Sequence, residues 1–92
     1  MKSNTTILTH EAHRIAKRLL NHWKHKFEVA ETEENFSIFM PEATVILIPE
    51  AQRLQVELTT EHEDYVHLEQ VILDHLNRMA QQKFNVQWQH QA

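Results

Sequence analysis

The chain has no cysteine and no glycine among its 92 residues, and only two prolines, Pro41 and Pro49. Without cysteine it forms no disulfide, no thiolate metal site and no cysteine nucleophile. Without glycine it lacks both the loop that cradles phosphates and the Asn-Gly or Asp-Gly hairpin turn. Its serines, Ser3 and Ser37, lie outside any nucleophile-elbow motif. These absences weigh against an enzyme, although acid–base catalysis by histidine stays open.

Long apolar runs are also missing. No run approaches the roughly 18 residues needed to cross a bilayer, and residues 1–10 have no apolar segment typical of a secretory signal. We therefore expect a cytoplasmic protein with no membrane partner, folded as a single α+β domain over residues 1–92. A chain of this length buries only about 60 to 65% of its unfolded surface, so we expect any ligand site in a surface groove or at a subunit interface.

Charge is segregated along the chain. Residues 1–27 contain six Lys or Arg and a single acidic residue, whereas residues 28–92 contain three Lys or Arg and twelve acidic residues. The formal net charge is −4. An acidic chain is not typical of dedicated nucleic-acid binders, so nucleic acid is not expected as a partner.

Apolar residues recur at helical spacing in two segments. We predict that the first helix begins after Thr9 as N-cap, and that the second runs from a capping box, "TEHE" (60–63), to about Gln82. The apolar stripe of the first helix comprises Ala12, Ile15, Ala16, Leu19, Leu20 and Trp23, and that of the second comprises Tyr65, Leu68, Ile72, Leu76 and Met79.

Strands are predicted where apolar residues alternate with polar ones. They lie at 5–8, 27–30, 35–40, 43–48 and 53–59, with a last strand around Val86 and Trp88. The predicted order is β-α-β-β-β-β-α-β. Two amphipathic helices and one antiparallel sheet are most stable as an α+β two-layer sandwich with both helices on one face of the sheet.

The other face of the sheet is predicted to be partly apolar. Segment 43–48 is apolar on both sides, and Phe39 points away from Phe36 and Ile38 in its own strand. An exposed apolar face is typical of an interface. We therefore expect a homodimer, in which a second subunit covers part of this face.

Two segments, "HWKHKF" (22–27) and "DHLNRMA" (74–80), together with Trp88, resemble the family called domain of unknown function 2218, which consists of small bacterial proteins. The resemblance spans nearly the whole chain. It implies a fold but no activity, and it implies relatives encoded beside iron and siderophore genes. Met79 stands where the family has phenylalanine, a substitution that a core position tolerates.

Histidines near the ends of both predicted helices are candidate metal ligands. His22 and His25 are three residues apart and so neighbours on a helix, and His75 lies at the margin of the second apolar stripe beside Asp74. If the carboxyl ends of the helices lie together, these side chains form a nitrogen-rich site that suits zinc, copper or iron, or an iron complex.

Two other interpretations of the same region stay open. Cations in the last turn of a helix offset its dipole and satisfy free carbonyls without any ligand, which would make the histidines structural. Alternatively, a basic surface on the first helix contacts an anionic small molecule or an acidic partner, or it neutralises acidic segments of the same chain. The candidate contact residues are Arg14, Lys17, Arg18, Lys24, Lys26 and Arg78.

Overall fold

The computed structural model of the protein describes residues 1–91. In chain order these residues form β1 (Lys2–Leu8), α1 (Ala12–Trp23), β2 (Glu28–Glu31), β3 (Phe36–Met40), β4 (Ala43–Pro49), β5 (Arg53–Thr60), α2 (Tyr65–Ala80) and β6 (Gln89–Gln91). The order of helices and strands and the α+β class are as predicted. Neither described helix is both long and apolar enough to pass through a membrane.

The strands form one six-stranded sheet in the order β2-β3-β4-β5-β1-β6, and every neighbouring pair is antiparallel. Strands β2 to β5 follow one another as hairpins, which confirms the predicted meander. Strand β1 pairs with β5 along seven residues, and the three-residue β6 covers the far edge of β1 at Lys2–Asn4. The two ends of the described chain therefore lie side by side.

Both helices cover the same face of the sheet. All six predicted stripe residues of α1 are buried, and Ile72 and Leu76 of α2 join the same core. The strand residues that face the helices are also buried, because apolar residues alternate in every central strand. These inward residues are Phe36, Ile38, Val45, Leu47, Leu54, Val56 and Leu58.

The turns are built without glycine. In the turn between β2 and β3 the Thr32 hydroxyl accepts hydrogen bonds from the backbone N–H groups of Glu34 and Asn35, at 3.1 and 3.0 Å. After α2 the chain reverses at Gln81, whose backbone is left-handed at φ 56° and ψ 39°. Non-glycine residues adopt this conformation at a cost of about 1 to 2 kcal/mol.

The predicted starts of both helices differ from the structure. The Thr60 hydroxyl does not cap α2, because Thr60 pairs with Ala43 in the sheet and its hydroxyl donates to the carbonyl of Glu42 at 2.7 Å. Helix α2 therefore begins at Tyr65. With Thr9 as N-cap, helix α1 would begin at His10. It begins at Ala12, two residues later.

The last strand lies three residues later in the chain than predicted. Val86 and Trp88 belong to an irregular segment and pack half-buried against the core, while Gln89–Gln91 form the ladder with β1. Apolar and polar residues alternate here because Val86 and Trp88 turn towards the core from an irregular backbone. The alternating pattern alone does not distinguish that case from a strand.

A buried carboxylate joins α2 to β6. Glu69 is 5% exposed, and its Oε2 lies 2.6 Å from Nε2 of His90. The ring of Tyr65 meets the His90 ring edge-on at 5.2 Å. A buried carboxylate requires a hydrogen-bond partner, so His90 holds the short strand β6 against the helix.

We predict that Gln81→Gly stabilises the protein by about 0.5 to 1 kcal/mol, because glycine has no Cβ penalty in the left-handed conformation that ends α2. Chemical denaturation at equilibrium measures the free energy of unfolding. Gln82→Gly is the matched control, since Gln82 is also exposed but does not have a positive φ. Equal effects of the two substitutions would contradict the prediction.

We predict that His90→Ala lowers the free energy of unfolding by about 1 to 3 kcal/mol at neutral pH, because it leaves the buried Glu69 carboxylate without its partner. His67→Ala is the control, since His67 is exposed on the same helix, and it should change stability by less than about 0.5 kcal/mol. Amide hydrogen exchange should also accelerate at Gln89–Gln91. A loss of stability no larger than that of the control would show that the contact does not hold β6.

Candidate functional site

The end of α1 packs against α2 through a group of aromatic rings. The His75 ring lies over the buried Trp23, with ring centroids 4.8 Å apart, and the His22 ring stands 5.5 Å from His75. Trp23 belongs to the apolar stripe of α1, and His22, its neighbour in sequence, is exposed beside it. The structure therefore brings together two of the four predicted metal-site residues.

A hydrogen bond within α2 orients the His75 ring. Nδ1 of His75 lies 2.7 Å from the carbonyl oxygen of Val71. A carbonyl only accepts, so Nδ1 carries the proton and the lone pair of the neutral ring lies on Nε2. Histidines that bind metals are usually held in this way, with the second ring nitrogen donating to a carbonyl or a carboxylate.

The two helices run in opposite directions where they touch. His22 meets His75, and one turn earlier in α1 the Arg18 guanidinium donates to the carbonyl oxygen of Met79, one turn later in α2, at 3.0 Å. The carboxyl-terminal parts of α1 and α2 therefore lie side by side. This is the arrangement that the predicted meeting of His22 and His75 required.

The other two predicted ligands do not join this pair. His25 is exposed in the turn that follows α1, and Asp74 is exposed on α2, where its Oδ1 accepts a hydrogen bond from Gln70 at 2.8 Å. Within residues 1–91, no three histidine, aspartate or glutamate side chains are grouped so that they could hold a metal ion. The three-histidine arrangement expected from the sequence is therefore reduced to a pair.

The spacing of the pair is compatible with a shared ligand. An ion about 2.0 to 2.1 Å from each imidazole nitrogen stands roughly 3 Å from each ring centroid. Centroids 5.5 Å apart, as for His22 and His75, leave room for both rings to reach one ion. Two protein ligands leave the remaining coordination positions to water or to another ligand.

Much of the predicted basic surface is engaged within the chain. Arg14 forms an ion pair with Glu11, and Lys17 forms one with Glu31 of β2 at 2.6 Å. The ion pair of Lys17 with Glu31 neutralises part of an acidic segment within the chain, which is one of the interpretations that the sequence left open.

The remaining cations lie around the carboxyl ends of the helices. Lys24, Lys26 and Arg78 are exposed and form no ion pair within the described chain. The Lys26 ammonium stands 5.5 Å from the centroid of the Phe27 ring. Lys24 and Arg78 are within three residues of His22 and His75 in sequence, and in residues 1–91 neither histidine forms an ion pair with a carboxylate.

Two polar contacts of structural importance are not predicted by the sequence. One is Glu69 with His90, and the other joins His62 of the β5–α2 loop to Glu42 at 3.3 Å. The sequence does indicate that Glu69 faces the core, since it stands one helical turn from both Tyr65 and Ile72 of the apolar stripe. Its partner lies 21 residues away in the chain, and no local pattern identifies it.

The chain is similar over nearly its whole length to a solved structure. The NMR structure of PA4090 from Pseudomonas aeruginosa superposes with a TM-score of 0.80 at 33% sequence identity, over 96% of this chain and 94% of that one. No curated protein matches the chain. The model of the family DUF2218, described as an uncharacterized protein conserved in bacteria, matches residues 4–89. The resemblance seen in the sequence is thereby confirmed, and the chain belongs to the DUF2218 family of bacterial proteins.

Proposed function

We propose that this protein is a non-catalytic cytoplasmic binding protein, and that its ligand is a transition-metal ion or a metal complex held by His22 and His75. The observation that carries the proposal is the hydrogen bond from Nδ1 of His75 to the Val71 carbonyl, together with the His22 ring 5.5 Å from that of His75. This hydrogen bond leaves Nε2 of the neutral His75 ring as the free acceptor, the form that binds a metal.

The donor set favours particular ions. Imidazole suits zinc, copper and iron, whereas magnesium and calcium prefer oxygen ligands. With two imidazoles, such an ion keeps open positions for water or for the donor atoms of a chelating molecule. An ion that arrives already chelated, as an iron complex would, is therefore also compatible with the pair.

Trp23 is a buried side chain that packs against the site, and its fluorescence can report on binding there. It is 5% exposed, its ring lies at a tilt to that of His75, and it meets the Phe27 ring edge-on at 5.9 Å. The His75 ring is thus held between a buried indole and its own helix. A paramagnetic ion bound at His75 would lie close enough to quench the Trp23 fluorescence.

We predict that copper(II) quenches Trp23 fluorescence saturably in a Trp88→Phe background, which leaves Trp23 as the only tryptophan. His22→Gln should weaken binding at least about tenfold, since even the loss of an outer hydrogen-bond partner costs that much at metal sites. His25→Gln is the matched control and should leave the affinity unchanged. Zinc and ferrous iron are tested by competition with copper. Acidification should reverse the quenching, because protonated imidazoles cannot bind a metal.

Two results would end the metal proposal: no saturable quenching, or equal affinity of the His22→Gln variant and the parent. A loss on His25→Gln as large as that on His22→Gln would restore the three-histidine arrangement and contradict the pair.

A second candidate function is contact with an acidic ligand or partner protein. The free cations Lys24, Lys26 and Arg78 support it, since each is exposed and without an ion pair in residues 1–91. In that case the histidines serve packing, as His75 does against Trp23, and His22 lies in the last turn of α1, where a cation offsets the helix dipole. A negative metal titration would leave this function as the better proposal.

We also propose that the protein is a homodimer through the sheet face opposite the helices. On that face Phe39 is 41% exposed, and the neighbouring strand β4 adds the half-buried Ile46 and Ile48. Both helices lie on the other side of the sheet, so these apolar side chains have no covering element in residues 1–91. An apolar surface of this kind is typical of subunit interfaces.

We predict a dimer by sedimentation equilibrium and a monomer after Phe39→Lys, because a charge at the centre of an interface loses its hydration without gaining a partner. Val66→Lys is the matched control, since Val66 is an exposed apolar residue on α2, at 60% exposure. The control should remain dimeric. A monomeric parent at the highest concentration that stays in solution would contradict the proposal.

A further inference from the structure

A groove lies at one end of the sheet, and Phe27, one of its lining residues, also contacts the Trp23 that packs against the histidine pair. Its apolar part is a cavity of about 210 Å³ between the β3–β4 turn and the first turns of α2. It is lined by Phe27, Met40, Pro41, Ala43 and Leu68, with Glu42 as its polar member. A cavity of this size accommodates one bulky apolar side chain.

The groove continues into an acidic part. A second, more open cavity is lined by Pro41, Glu42, Glu61 and His62, so that Pro41 and Glu42 belong to both. The same loop carries the exposed carboxylates of Glu63 and Asp64. The apolar cavity and several negatively charged side chains therefore lie next to each other on one continuous surface.

Hydrogen bonds hold the groove in this shape. The Thr60 hydroxyl donates to the Glu42 carbonyl at 2.7 Å and accepts the N–H of His62 at 3.0 Å. Nδ1 of His62 accepts the N–H of Asp64 at 3.0 Å, so the proton of the neutral ring is on Nε2, 3.3 Å from the Glu42 carboxylate. The β5–α2 loop is thus tied to the β3–β4 turn. A pre-organised surface loses less entropy when it binds.

We infer that this groove binds an extended peptide segment of a partner protein, with a bulky apolar side chain followed by lysine or arginine. The apolar side chain fills the cavity beside Leu68, and the cations lie against Glu42 and Glu61. The Lys26 ammonium stands near Phe27 in the apolar part of the groove. In the acidic part only the weak His62 contact offsets the carboxylates of Glu42 and Glu61, so charge complementarity favours a cationic segment there. The open form of the groove fits an extended chain rather than an enclosed small molecule.

The test uses the full chain, labelled with nitrogen-15, and three short peptides. Acetyl-Leu-Arg-Lys-Arg-amide should produce saturable amide shifts at Ala43, His62 and Leu68. Acetyl-Ser-Arg-Lys-Arg-amide lacks the apolar side chain and should bind at least about tenfold more weakly. Acetyl-Leu-Glu-Asp-Glu-amide should produce no saturable shift, because its charges repel the groove.

Two matched double variants test whether the peptide binds at this groove. Glu42→Gln/Glu61→Gln should weaken the basic peptide about fivefold, as expected for two partly exposed charge contacts. Glu33→Gln/Glu34→Gln removes the same charge from the exposed β2–β3 turn and should leave binding unchanged. The amide spectrum of each variant shows directly whether it is folded.

Three outcomes would overturn the inference. They are equal affinity of the serine and leucine peptides, equal effects of the two glutamine pairs, and saturable shifts confined to other parts of the chain. Sedimentation in the presence of peptide tests whether a second copy of this chain fills the groove instead. If it does, the dimer should dissociate into monomers as the peptide binds. Because no residue of the groove belongs to the histidine pair, this result is independent of any metal binding.

Discussion

Burial of α1 against the sheet on one side and against α2 on another is the constraint on which the rest of the structure depends. A helix of 12 residues is marginal by itself in water. Here Ile15, Ala16 and Leu19 are at most 1% exposed, and burying each large apolar side chain contributes about 1.5 to 3 kcal/mol. Because the sheet offers only one face to both helices, α1 and α2 must lie next to each other. Their contact line decides which polar side chains meet.

That contact line determines the histidine pair. Trp23 must be buried because it is part of the apolar stripe, and its burial draws His22 to the edge of the helix interface. The antiparallel direction then selects His75 as the neighbour of His22 and Met79 as the neighbour of Arg18. His25, one turn beyond His22 and past the end of the helix, has left the interface. The candidate site is thus a consequence of core packing.

The segregated charge of the sequence is partly retained on the surface of the molecule. Part of it cancels internally, since Lys17 of α1 meets Glu31 of β2. What remains is a cationic region around Lys24 and Lys26 and an acidic groove at Glu42 and the loop 61–64. The two regions carry opposite charge and adjoin at Phe27, which lines the apolar part of the groove and lies beneath the Lys26 ammonium.

The periodicity of apolar residues by itself determined the two helices, the four-stranded meander and the α+β class, because side chains on a helix or a strand repeat with the geometry of that element. It did not locate the start of α2 or the last strand. Thr60 has the residue type of a cap but is held in a ladder with Ala43, and Val86 and Trp88 alternate without forming a strand. The tertiary structure alone decided that His22 meets His75 without His25, and that Glu69 meets His90. Such contacts join residues far apart in the chain, and only the packing of one element on another sets the distance between them.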